Sequence, residues 1–243
     1  MSKGSWPTQG PEDPLLARLM KPLFFCLSIL TSGTLAVAAD LDAVLASLDK
    51  SAASFQGLTA SLTRVAFTAV LNDKSTEKGR ISMRRPRPND LRVLIELTEP
   101  DAKSVSIRGT KAEIYYPKIK TVHEYNLGKQ RNLVDQYLLL GFGTSGEALA
   151  KSYALKALGE ETIGGHRATK LEMTPRSDEA KQHLKRVEMW ITDAGHPIQQ
   201  QFFYPSGDYM LITYSDVKWN PSLTDESVTL RLPQGVKREF PQR

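Results

Sequence analysis

The chain has 243 residues, with 32 Lys and Arg against 27 Asp and Glu and a net charge of +5. Its cations are scattered rather than gathered into a stripe, which argues against a nucleic-acid partner. A single cysteine cannot build a disulfide framework.

Residues 1–19 are polar and proline-bearing, fit neither a leader nor a fold, and make Met20 the expected natural start. From Lys21 a nearly uncharged run, Pro22 to Leu30, leads to the small residues Ala36 to Ala39. A basic start, a short apolar run and an A-x-A site predict a secretory signal over 20–39, cut after Ala38 or Ala39. The run is too short to cross a bilayer, which takes about 20 apolar residues. Cys26 would leave with the signal, so export predicts a periplasmic protein with no disulfide and no thiol chemistry. The remaining residues, 40–243, suffice for one domain.

Asp40 is placed to cap a helix whose apolar stripe is Leu41, Val44, Leu45, Leu48 and Phe55, and Gly57 stands where a left-handed residue would close it. After Gly57 the period changes to two. The alternation predicts strands at 58–71, 76–85, 91–98, 103–109, 111–117 and 120–127. A second group follows at 152–158, 166–174, 184–192, 197–204, 209–219 and 227–232. Short turns such as Asn72-Asp73 and Gly164-Gly165 make the neighbours antiparallel, since parallel strands need long crossovers. One long break, 128–151, carries helical patterns at 132–140 and 147–151.

Within the strands, Ile81 and Met83 share a face, as do Leu91, Val93, Ile95 and Leu97, and Val187, Met189 and Ile191. Ala112, Ile114 and Tyr116 form another set, and Ile198 lines up with Phe202 and Tyr204. The class is α+β: an antiparallel sheet of about eleven strands with one apolar face. A flat sheet would leave that face bare, whereas one that coils around its own helices encloses it and leaves a cavity.

Enzyme motifs are weak here. Gly141-Phe142-Gly143-Thr144-Ser145-Gly146 spells G-x-G-x-x-G, but that motif needs a βαβ unit and its flanks are hairpins. A hinge between the helices of the long break is the better reading. Ser145 fails the nucleophile elbow because Glu147 stands where the last glycine belongs. His123, His166, His183 and His196 lack ligand spacing, and His166 and His196 read as solvated turn residues. No catalytic residue, metal or cofactor is expected.

In order and spacing the chain resembles the outer-membrane lipoprotein carrier (LolA) family over about residues 40–240. The resemblance rests on the opening helix Leu41 to Phe55, the strand from Leu58 and the stretch Ile81-Ser82-Met83-Arg84-Arg85-Pro86-Arg87-Pro88-Asn89. Further support comes from Leu97-Thr98-Glu99-Pro100, Glu113-Ile114-Tyr115-Tyr116-Pro117 and Leu232-Pro233-Gln234-Gly235-Val236. It implies an open half-barrel of eleven strands with helices as a lid, and a cavity that takes acyl chains of lipoproteins or lipid. It also implies an inner-membrane ABC transporter as donor and an outer-membrane acceptor as recipient. The family's Arg-Pro arginine holds the lid by hydrogen bonds. Arg85-Pro86 and Arg87-Pro88 both fit: periodicity favours Arg85, and Asn89 after the second pair favours Arg87. The aromatic that follows the family motif is absent, with Val93 and Ile95 in that region.

The expected acyl site is therefore Ile81, Met83, Leu91, Val93, Ile95, Val187, Met189 and Ile191, closed over by Leu138, Leu139 and Phe142 and latched by Arg85 or Arg87. The expected protein is a monomeric, non-enzymatic periplasmic carrier. The alternatives are a carrier of free lipid or glycolipid, a lipoprotein-sensing regulator, and an interaction module using open sheet edges.

Overall fold

Residues 40–88, 90–128 and 140–241 are described by the computed structural model, so the expected helix at 132–140, with Leu138 and Leu139, falls outside it apart from Leu140. Residues Ala36–Arg243 form a compact unit of their own. Helix α1 spans Leu41–Ser54, and the Asp40 carboxylate accepts from the Asp42 N–H at its start. Val44 and Leu48 are buried, with Leu41 and Leu45 half-buried beside them, so the stripe meets the sheet as its spacing requires. The helix does not end on a left-handed Gly57. Phe55 is extended and Gly57 opens the first strand. A Cβ at position 57 would stand 2.4 Å from the Met83 carbonyl oxygen, so this site needs close approach rather than an unusual φ.

Eleven strands follow the predicted alternation. They are β1 (Gly57–Thr68), β2 (Asp73–Arg84), β3 (Arg92–Glu99), β4 (Lys103–Arg108), β5 (Lys111–Tyr116) and β6 (Thr121–Asn126). After the break come β7 (Tyr153–Ile163), β8 (His166–Pro175), β9 (Arg186–Ile191), β10 (Pro197–Phe203) and β11 (Tyr209–Trp219). The two hairpin series join where β1 pairs with β11, at Leu62 opposite Tyr214. Helix α2 (Gly146–Ser152) leads into β7, and an unforeseen one-and-a-half-turn helix, α3 (Asp178–His183), joins β8 to β9.

The strand expected at 227–232 is not formed. A 3-10 turn, Asp225–Val228, closed by a capping box between Thr224 and Ser227, occupies its start, and Val228 is buried. Arg84 and Arg92 hold Asp225 on the outer face of β2 and β3, Arg92 at 2.5 Å. The tail then reaches the far edge as a twelfth strand, β12 (Lys237–Glu239), parallel to β6. Having crossed behind the sheet instead of turning in a hairpin, it arrives in the parallel sense. The sheet order is β12-β6-β5-β4-β3-β2-β1-β11-β10-β9-β8-β7, with no pairing between β12 and β7. The result is a curved, open half-barrel.

Two apolar clusters fill the inner face. One gathers Leu58, Met83, Leu91 and Val93 under Phe55 and Phe142. The other packs Leu171, Met173, Val187, Met189 and Ile191 against Val44 and Leu48 of α1, with Leu140 and Leu149. Ile198 does not join Phe202 as alternation predicted. A register shift between Pro197 and Gln199 turns it to the outer face, against Trp190 and Ala168.

Candidate functional site

The glycine-rich segment is a seam where the chain presses onto helix and sheet. At Gly141, with φ near +79°, a Cβ would lie 2.4 Å from the Met189 sulfur. At Gly143, with φ near +77°, it would lie 2.7 Å from the Phe55 ring and 3.0 Å from Arg85. Gly146 abuts the Leu45 carbonyl and donates its N–H to Asp49 at 2.8 Å. Left-handed backbone and close contact explain the three glycines without any phosphate. Ser145 caps α2 by accepting from the Ala148 N–H at 3.1 Å.

Arg85 bonds to this seam and to the end of α1 together. Its Nη2 donates to the carbonyls of Ala52 at 3.0 Å and Phe55 at 2.8 Å, its Nε to Phe55 at 3.2 Å, and its Nη1 to Gly143 at 3.2 Å. The guanidinium also lies 5.2 Å from the centre of the Phe55 ring. Burial lowers its pKa, yet an arginine so far above neutrality keeps its charge. Arg87 points to solvent, its side chain 77% exposed, and among the described residues it meets only Asp90, at 3.2 Å.

A cavity of about 330 Å³ opens between Phe142 and the inner face. That is the lower end of the size of small-ligand sites. Its wall is mostly apolar: Leu62, Ile81, Ile95, Leu97, Val105 and Ile114 from β1 to β5, with Phe202, Met210 and Ile212 from β10 and β11. Gln200, only 3% exposed, crosses its back. Its Nε2 donates to the Leu140 carbonyl at 2.5 Å, and its Oε1 accepts from the Tyr214 hydroxyl at 2.8 Å. Burial pushes the Tyr214 phenol well above its ordinary range, keeping it a neutral donor. Phe142 meets Tyr214 edge-on, with ring centres 5.1 Å apart.

Among the described residues, charge enters the cavity at one place. Arg64 of β1 and Lys103 of β4 line it, and both pair with Glu77 of β2, Lys103 at 2.6 Å. Burial pushes the Glu77 carboxyl up, but Lys103 and Arg64 together outweigh it and hold it below the usual carboxylate range.

Of the residues expected to form the acyl site, Ile81, Ile95 and Phe142 are in the cavity wall. Met83, Leu91 and Val93 lie instead in closed core, at most 2% exposed, because Phe55 and Phe142 cover them. Val187, Met189 and Ile191 are likewise sealed by α1 and Leu140. Alternation reports which face a residue takes and is silent on depth. The sequence reading missed Leu62, Met210, Ile212, Tyr214 and Gln200. The period-two run Met210, Ile212, Tyr214 was the available signal.

His196 corrects another expectation. It is half-buried, its ring stacked 3.9 Å from that of Trp219, and burial lowers its pKa below 6.5. Below about pH 6.5 the unfolded chain takes a proton that the folded one resists. Stability should therefore fall as pH drops from 6.5 toward the folded pKa. Melting temperatures between pH 7.5 and 5.5 should show this decline, and His196→Phe, which keeps the ring contact, should flatten it.

No family model and no curated protein matches the chain. Solved structures do. MucB superposes with a TM-score of 0.51 at 18% identity over 80% of this chain, which spans 64% of the MucB chain. An uncharacterized conserved protein from Thermus thermophilus gives 0.51 at 14% identity, covering 82% of this chain and 98% of its own. A LolA superfamily protein from Nitrosomonas europaea matches more loosely, at 0.37 and 14%, over 80% and 99% of the two chains.

The fold is LolA-like. Of the two arginines, Arg85 is the one that bonds to α1 and to the glycine seam. Its partners include α1 carbonyls, which sequence reasoning had not named. Among the described residues no helix is long and apolar enough to cross a membrane, and no cluster could hold a metal.

Proposed function

We propose that the chain is a non-catalytic carrier that shelters acyl chains of lipoproteins or lipids in transit through the periplasm. One observation carries this reading: a largely apolar cavity held open between the inner face of an unclosed sheet and the Phe142 seam. Each methylene moved out of water is worth about 0.8 kcal/mol, so a multiply acylated cargo leaves a membrane only for another apolar surface. An open edge lets such a cavity widen without breaking strand pairs. By the same reading the cargo is received from an inner-membrane ABC transporter and passed to an outer-membrane acceptor.

Strand addition is the weaker alternative, because both edges are guarded. β7 carries Lys156, Glu160 and Glu161 around a register shift between Ala157 and Gly159, and β12 covers part of β6. Protein purified from the bacterial envelope should yield acyl lipid or acylated protein in an organic extract read by mass spectrometry. It should also take up a fluorescent fatty acid. An empty extract together with no uptake would sink the carrier and favour an interaction module.

A further inference from the structure

Among the described residues, the one charged element of the cavity wall has an excess of cations, and this bears on what kind of amphiphile fits. Arg64 and Lys103 face inward with the apolar residues of their strands, Leu62 and Val105, and share the single carboxylate of Glu77. One positive charge is left over beside an apolar chamber. The Arg64 Nε is buried and has no partner among the described residues. An orphaned guanidinium donor is costly, and bonds to charged groups are the ones that repay its burial most. Had the group served only to tie strands, one cation to one carboxylate would have closed it.

We propose that the cavity selects acyl ligands with a negatively charged head, a carboxylate or phosphate received by Arg64 and Lys103 while the chain lies along Ile81, Ile95 and Ile212. This rests on the carrier reading and narrows it: a diacylglyceryl anchor, uncharged at its head, uses only the apolar wall. The neighbouring Glu77 sets the strength, since it competes with the head for the same two cations.

The test uses the full chain and displacement of the fluorescent probe N-phenyl-1-naphthylamine at low salt. Dodecanoate is compared with methyl dodecanoate, and dodecyl phosphate with dodecanol, so that the carboxylate and phosphate arms are separate. The acidic member of at least one pair should bind about fivefold to tenfold more tightly. Which pair shows the larger ratio names the head. In Arg64→Gln and Lys103→Gln the acid-to-neutral ratio should fall toward one, and in Glu77→Gln it should rise. Equal binding within both pairs of the wild type would overturn the charge selection while leaving the carrier intact, and that result needs no variant to fold. Failure of the probe and all four ligands to bind would remove the carrier reading and this inference with it.

Discussion

Arg85→Leu should lower stability by about 2 kcal/mol and speed release of bound fatty acid. One side chain satisfies carbonyls at Ala52, Phe55 and Gly143, joining the last turn of α1 to the glycine seam. Bonds from a charged donor contribute about 1.5–3 kcal/mol each, but these are part-buried and share one guanidinium, so the losses do not add. Arg87→Leu is the control. Its side chain is 77% exposed and among the described residues meets a single aspartate, so the change should stay within about 0.5 kcal/mol. Urea midpoints and stopped-flow release of a fluorescent fatty acid measure both. Equal behaviour of the two variants would show that Arg85 is not a latch. Arg85→Lys should fall between, because an ammonium cannot span carbonyls on two elements as a planar fork does.

Phe142→Ala should be the most damaging single change at the site, at about 3–5 kcal/mol. The ring is 1% exposed, touches Tyr214 and Trp219, caps the cluster of Leu58, Met83 and Val93, and forms part of the cavity wall. Its removal would leave a void continuous with the cavity. For a domain of this size that is a fall of roughly 6–20 °C in melting temperature, readable by calorimetry. Phe142→Leu keeps most of the volume and should cost under about 1.5 kcal/mol. If alanine and leucine behaved alike, the seam would be loosely attached and the lid role of Phe142 would fail.

Much of the fold was legible because burial on one side writes its period into the chain. The α1 stripe has helical spacing and eleven strands alternate, so their hairpin order follows from short turns alone. What alternation cannot express is distance from water along the inward direction. Val93 and Ile95 are two residues apart on one strand and one face, yet Val93 lies under Phe55 and Phe142 while Ile95 faces the cavity. The difference is made by residues some 40 positions away. Ile198 shows the second blind spot, since one extra residue in a strand reverses every assignment beyond it and leaves no mark in composition.

The sequence by itself determined an antiparallel sheet with one apolar face and a capped amphipathic helix to lay on it. These follow from local periodicity and turn chemistry, which act over a few residues. The tertiary structure decided the rest. It set Arg85 against the α1 carbonyls while Arg87 points to solvent, and made the G-x-G-x-x-G segment a packing seam because α1 and Met189 come within contact of its glycines. It also brought Arg64, Glu77 and Lys103 from three strands to one side of an apolar chamber. Charges scattered along the chain acquire meaning only when strand register sets them facing the same space, and register is a property of the whole sheet.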